Sequence, residues 1–390
     1  MSSVVGIDQI SFHTSNHFFD LSSLAEHQET DPNKYYEGIG QEKMGMAAHD
    51  EDIVTMAAEA AYPLVQGDDS AAISSLLFAT ETGIDQSKAA GIYVHRLLGL
   101  SNNCRVVELK QACFSATAAL QMACALVARQ PEKKVLVIAS DIARYELNTP
   151  GEATQGCGAV AMLVTANPRL VEIDPEVGNH VEDVMDFWRP NYRKTALVDG
   201  KYSTKIYLRS LKRAWENFQA VSSLNFNDFS HFCYHLPFSR MAQKAHQHLA
   251  KVNKTTLTPE QLEAQIADTL VYNRIIGNSY TASMYIGLAS LLENSAENLA
   301  GQRIGFFSYG SGSVAEYFSG KVVSGYEAHL FTADHAALLQ ARQPLSYEEY
   351  IHLYHAPDPT DGGEHVIPVS TKGRFRLASI SHHKREYVAL

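Results

Sequence analysis

Cys113 stands where a β-branched run, Val106-Val107-Glu108-Leu109, passes without a Gly or Pro break into Ser115-Ala116-Thr117-Ala118-Ala119-Leu120-Gln121-Met122-Ala123, the pattern of a strand feeding a helix. A thiol at the first turn of a helix faces unpaired N–H groups and the positive end of the dipole, so this setting predicts a depressed thiol pKa and a thiolate nucleophile. The competing reading is a small buried hydrophobe. Two apolar strands end in carboxylates: Ser75–Thr80 runs into Glu81, and Lys134–Ser140 runs into Asp141. Ligands of α/β proteins gather at the carboxyl edge of the sheet, which makes Glu81 a candidate for proton transfer, although a strand-end carboxylate also serves as a plain turn cap. His235 lies near the end of a third strand-like run, Phe229–Tyr234, stopped by Pro237, where a lone histidine is commonly structural. Asn278 carries an amide that both donates and accepts, which suits holding a thioester carbonyl. A cysteine with a carboxylate base is equipment for acyl transfer through a covalent intermediate.

The elements that must position these groups come in two sets. The segment Gly277–Leu292 repeats the turn-then-small-residue-helix character of the Cys113 segment, and Tyr309-Gly310-Ser311-Gly312-Ser313-Val314-Ala315 echoes Gln155-Gly156-Cys157-Gly158-Ala159-Val160-Ala161. Two echoes in the same order predict a duplicated α/β fold, with halves 1–167 and 168–390 stacked through their sheets and the two small-residue helices buried between them. On this register Asn278 lies opposite Cys113 across a pseudo-two-fold axis. The Cys113 helix has almost no polar face, so it is expected to be buried on every side. Flanking elements read as a strand over Val4–Phe12, a helix capped by Asp20, a helix over Asp52–Leu64 ended by Pro63, a helix opened by Ser346-Tyr347-Glu348-Glu349, and closing strands around Arg374–Ile380 and Tyr387.

The chain has 390 residues, 45% hydrophobic and 19% charged, with a formal net charge of -11. That balance argues against a general affinity for nucleic acid, so an anionic ligand must meet a local basic patch. The five cysteines are scattered without metal-ligand spacing, which predicts a reducing compartment, no structural metal and no metal at the site. Met1–Asp8 lacks the basic-then-apolar order of a leader, and no stretch is expected to approach a membrane span, so a cytoplasmic protein is expected. The aromatic stretch from Phe187 and Trp188 through Tyr202, beside Arg189 and Lys201, offers faces for an adenine and charges for phosphates, or a packed loop.

The run Glu108–Ala119, the segment Glu81–His95, the Tyr234-His235-Leu236-Pro237-Phe238 motif and Gly277-Asn278 resemble, in order and spacing, 3-hydroxy-3-methylglutaryl-CoA synthases of bacterial type, members of the thiolase superfamily. The resemblance runs from Gly6 to Tyr387. It implies a thiolase-like fold and the condensation of acetyl-CoA with acetoacetyl-CoA and water to 3-hydroxy-3-methylglutaryl-CoA and CoA, a step toward mevalonate. It implies Cys113 as acyl carrier, Glu81 as general acid/base, His235 and Asn278 at the accepting ketone and second thioester, and the N–H groups of Cys113 and Ser311 as an oxyanion hole. It further places Asp141, Tyr145 and Thr154 around the acyl pocket, Asp186 among the substrate-binding carboxylates, and Lys201, Arg240 and Lys244 near the CoA phosphates. No cofactor is implied beyond the CoA thioester substrates, and a homodimer is expected. Cys157 departs from the family's small residue and is expected to be buried; Arg240 replaces a common lysine, keeping the charge in fork geometry. Two other readings share these residues: a β-branching enzyme that takes acyl groups from a carrier protein, against which the Gly38–Lys43 match argues, and a non-catalytic acyl-CoA-binding paralogue.

Overall fold

The computed structural model describes residues 4–390; Met1–Ser3, on which part of the leader argument rests, lie outside the described residues. Ten strands form one sheet: β1 (Val5–His13), β2 (Ile73–Ala79), β3 (Arg105–Leu109), β4 (Lys134–Ala143), β5 (Gly156–Ala166), β6 (Val171–Ile173), β7 (Gly178–Val181), β8 (His231–Tyr234), β9 (Arg303–Gly310) and β10 (Val314–Val322). Their spatial order is β8-β9-β10-β6-β1-β5-β4-β2-β3, with β7 paired to β10. In the first half β2 lies parallel to β4, β4 and β5 form an antiparallel pair, and β1 closes it. In the second half β8 lies parallel to β9, β9 and β10 form the antiparallel pair, and β6 closes it. The duplication read from the sequence is thus a repeat of strand order, joined where β6 pairs with β1.

Alternation along the strands builds the layers. Val135, Val137 and Ala139 of β4, with Ile304 and Phe306 of β9, face a shared core with helices α1 (Ser115–Arg129) and α3 (Ser283–Asn294). Leu136 and Ile138 face away, onto the Ile53–Ala61 helix and the C-terminal strand residues Phe375 and Leu377. Phe307 and Tyr309 also face away, onto helix α2 (Gly200–Val221) and the Arg240–Val252 helix. One central layer of paired helices between two sheet faces is the result, and Thr117 Oγ1 meets Tyr285 Oη at 2.8 Å across the pair. The Asp20 and Ser346 caps form as expected, each accepting from a backbone N–H of its helix, and Asp52 caps the Ile53–Ala61 helix in the same way.

Two expectations fail on α1. Its outer face is open: Met122 is 52% exposed, and Val107 on the neighbouring edge strand β3 is 42% exposed. Ala112–Arg129 also reaches 18 residues with a mean hydropathy of 1.4, the length and apolarity of a short membrane span, contrary to the expectation that no stretch approaches one. Both follow from composition: an all-apolar helix reads the same whether its faces meet core, another surface or lipid.

Candidate active site

Cys113 is delivered by a turn rather than by the helix itself. Ala112 adopts a left-handed φ of 44°, and α1 starts only at Ser115, so the thiol projects from a strained elbow two residues before the helix. Its Sγ donates to Glu81 Oε1 at 2.9 Å. Burial, and then the Glu81 carboxylate, push the thiol pKa well above its usual value. The predicted depression is therefore wrong: the nearest charge is negative, and desolvation disfavours the thiolate. Glu81 is itself pushed up to about 8 by burial and by the neighbouring Asp141. Thiol and carboxylate make a coupled pair in which Glu81 is placed to take the Cys113 proton.

Asp141 does not line the pocket as expected. It is fully buried, and its oxygens accept from Thr80 Oγ1 at 2.8 Å, Glu81 N at 2.9 Å, Thr82 N at 3.0 Å and Thr281 N at 3.1 Å, as well as from the Thr82 and Thr281 hydroxyls. Six donors leave no lobe for a substrate, so Asp141 positions the Glu81 loop and ties it to the mouth of α3. Arg189 donates to the Glu81 carbonyl and its charge opposes the rise in Glu81. The sequence reading missed this role, because Arg189 lies in an irregular aromatic segment and reaches Glu81 only through the Phe187–Trp188/Leu197–Val198 hairpin.

Around Cys113 pack Tyr145, Tyr280, Phe187, Ala143 and Ala196. Phe187 meets Tyr280 and Tyr145 edge-on at 5.8 and 6.2 Å, so this aromatic closes the acyl pocket instead of offering a face to an adenine. Ser311 is brought to the same place: a Cβ on Gly310 would come within 2.5 Å of Gln111 O and 2.7 Å of Phe114 Cβ, an approach only glycine allows. Asp186, fully buried, accepts from Gly312 N at 2.9 Å and Tyr309 Oη at 2.6 Å. It therefore braces the Ser311 turn and, contrary to expectation, has no free face for substrate. The Thr154 hydroxyl donates to Gly151 O at 2.7 Å, leaving only lone pairs for a ligand. Cys157 is fully buried, as expected, and burial pushes its thiol up to about 11.

His235 follows β8, its N–H donating to Phe307 O at 2.8 Å and its carbonyl accepting from Tyr207 Oη at 2.8 Å. Burial pushes its imidazole down to about 3, so the ring is neutral across physiological pH. Asn278 is buried, with Oδ1 accepting from Tyr280 N at 2.9 Å. Its match to Cys113 needs correction: Tyr280, like Ala112, is left-handed and stands three residues before its helix, so Thr281 is the counterpart of Cys113. Asn278 still borders the site because Gly156 lets its backbone approach; a Cβ there would lie 2.6 Å from Asn278 N.

Lys201, Arg240 and Lys244 are exposed. None of them is in an ion pair among the described residues. Lys205, one turn beyond Lys201 on α2, shares that state and was not singled out by sequence. The loop over residues 36–43 docks here, Ile39 O accepting from Arg240 N at 2.9 Å.

A half-buried thiol paired with a raised carboxylate, an aromatic pocket and a neutral histidine, all held by a duplicated thiolase-like sheet, belong to an enzyme of the acyl-transferring class. The family models named hydroxymethylglutaryl-coenzyme A synthase N terminal and C terminal match residues 1–169, and 171–256 with 246–356. The hydroxymethylglutaryl-CoA synthase of Enterococcus faecalis is 41% identical over 98% of this chain and 99% of its own length. The polyketide biosynthesis 3-hydroxy-3-methylglutaryl-ACP synthase PksG of Bacillus subtilis is 33% identical over 98% of each. A crystal structure of an HMG-CoA synthase complexed with CoA superposes with a TM-score of 0.94 at 40% identity, covering 99% of this chain and 100% of that one. The chain belongs to the hydroxymethylglutaryl-CoA synthase family.

Proposed function

We propose that this enzyme joins acetyl-CoA to acetoacetyl-CoA, with water, to give 3-hydroxy-3-methylglutaryl-CoA and CoA, in the cytoplasm and on the way to mevalonate. The observation that carries the mechanism is the 2.9 Å contact between Cys113 Sγ and Glu81 Oε1. Glu81 takes the thiol proton as sulfur attacks the acetyl carbonyl, and CoA leaves as its thiol once that proton is returned. Glu81 then removes a proton from the acetyl methyl, and the enolate oxygen is held by the Cys113 and Ser311 N–H groups. The enolate carbon bonds to the ketone carbon of acetoacetyl-CoA, whose oxygen is polarised by His235 and Asn278. The proton taken from the methyl group is the one the new hydroxyl requires. Water then cleaves the Cys113 thioester.

The aromatic wall of Tyr145, Tyr280 and Phe187 suits an acyl group as small as acetyl, and Lys201, Lys205, Arg240 and Lys244 suit the phosphates of CoA. The halves divide at 167/168, and a second copy pairs across the β3 edge and the Met122 face of α1, where an unpaired edge strand and apolar side chains would otherwise meet water. Incubation with labelled acetyl-CoA followed by mass spectrometry should place one acetyl group on the Cys113 peptide; label on Cys157 or Cys124 would refute the assignment. Adding acetoacetyl-CoA should then release labelled 3-hydroxy-3-methylglutaryl-CoA. The carrier-protein reading, favoured by the 33% identity to PksG, requires instead that acetyl-carrier protein acylates Cys113 and acetyl-CoA does not.

A further inference from the structure

Ser283 opens α3 and is fully buried. Leu236 N donates to its Oγ at 3.2 Å, and the same Oγ lies 3.1 Å from His235 Nδ1. A serine hydroxyl has a single hydrogen. Among the described residues its oxygen reaches no other partner, so with Leu236 N–H on a lone pair the hydrogen has one acceptor, His235 Nδ1. A ring protonated at Nδ1 would strand that hydrogen, a buried donor without an acceptor.

We infer that Ser283 is a positioning residue that holds His235 in its Nε2–H tautomer, so that the imidazole offers the reacting ketone a hydrogen-bond donor and not a lone pair. The inference rests on the reading of His235 as the group facing that ketone. Among the described residues Nε2 makes no hydrogen bond, while Nδ1 and both backbone groups of His235 are engaged, so the ring is held with Nε2 left for a ligand. Burial adds to this by keeping the ring neutral, since an imidazolium would donate from both nitrogens and make the hydroxyl's direction irrelevant. As the enolate carbon bonds to the ketone carbon, the carbonyl π pair moves onto oxygen. A donor at Nε2 stabilises that charge; a lone pair there would repel it.

The test uses the full chain. In wild-type enzyme carrying 15N-histidine, with the His235 signals assigned by their loss in His235→Asn, Nδ1 should resonate as an unprotonated and Nε2 as a protonated nitrogen. Ser283→Ala should let Nδ1–H appear and slow condensation about a hundredfold, the scale of losing one oxyanion donor. Acetylation of Cys113 by acetyl-CoA should stay unchanged. Ser283→Thr, which keeps the hydroxyl, should restore both the tautomer and most of the rate. An Nδ1–H signal in the wild type overturns the inference, as does a Ser283→Ala enzyme that condenses at the wild-type rate. Should Ser283→Ala fail to fold, the wild-type spectrum and the threonine variant still decide. Failure of the proposed reaction shows separately, as absence of acetyl-Cys113, while the tautomer is read without substrate.

Discussion

Helices α1 and α3 occupy equivalent places in the duplicated fold, yet every residue of α3 from Ser283 to Leu292 is buried whereas α1 leaves Met122 half exposed. The difference lies in what flanks them. The short helix Val271–Ile276 packs on α3, with Asn273 Nδ2 donating to Ser283 O at 3.2 Å. At the equivalent place beside α1 the chain runs as strand β3, the unpaired end of the sheet. Their N-terminal mouths differ in the same sense. One presents the Cys113 thiol to Glu81; the other presents Thr281, bound to Asp141, and Ser283, bound to His235. One helix follows the thiol and keeps an open surface; its counterpart is packed on all sides and braces the groups around that thiol.

The largest effect expected from breaking this division is at the first mouth. Glu81→Ala should lower condensation on the order of a hundredfold to ten-thousandfold, the range for losing a general base. Acetylation should slow less than condensation, since removing the carboxylate that adds to burial in raising the Cys113 pKa partly offsets the loss of the base. Single-turnover acetylation beside steady-state product formation separates the two steps; equal losses in both would merge the roles.

In the second helix, Leu288→Ala should cost about 2–5 kcal/mol of stability through the cavity it leaves, read as a lower denaturant midpoint. Leu288 is fully buried, so a cost below 1 kcal/mol would mean that α3 is not the packed member of the pair. The pH dependence sharpens the contrast further. Glu81 works as a base only when deprotonated and is raised to about 8, so kcat/KM should climb as pH rises through about 8. Asp141 raises Glu81 by like charge, so Asp141→Asn should move that limb to lower pH. A limb that stays in place would mean that Asp141 acts through its hydrogen bonds alone. The smallest effect is on the open face. Met122→Ala should change the stability of an isolated chain by no more than about 0.5 kcal/mol. Met122→Glu should shift the oligomer toward monomer in analytical ultracentrifugation, and a wild-type chain that is monomeric at micromolar concentration would remove the dimer proposal.

Cys113, Glu81 and His235 stood out as candidates because each sits at the end of a strand or near the start of a helix, where local periodicity changes, and the duplication was legible from its repeated turns. The protonation state of Cys113 was not, since it depends on Glu81, a neighbour supplied by tertiary structure, and on a helix that starts two residues later than its composition suggests. Arg189 and the inward turn of Phe187 were hidden in a segment without periodicity. Asp141 and Asp186 were recognised as site residues but given the wrong task, because residue type does not tell a carboxylate that contacts substrate from one whose oxygens are already occupied.

Asp141 joins the loop that carries the base in one half to the mouth of the helix in the other. A single half, with no Thr281 to close that carboxylate, would hold the base in a different place and lack the histidine altogether. Expressed as separate chains, the two halves could complete this arrangement only on association, so it would depend on their concentration. Their covalent connection in one polypeptide substitutes a fixed effective concentration for that encounter.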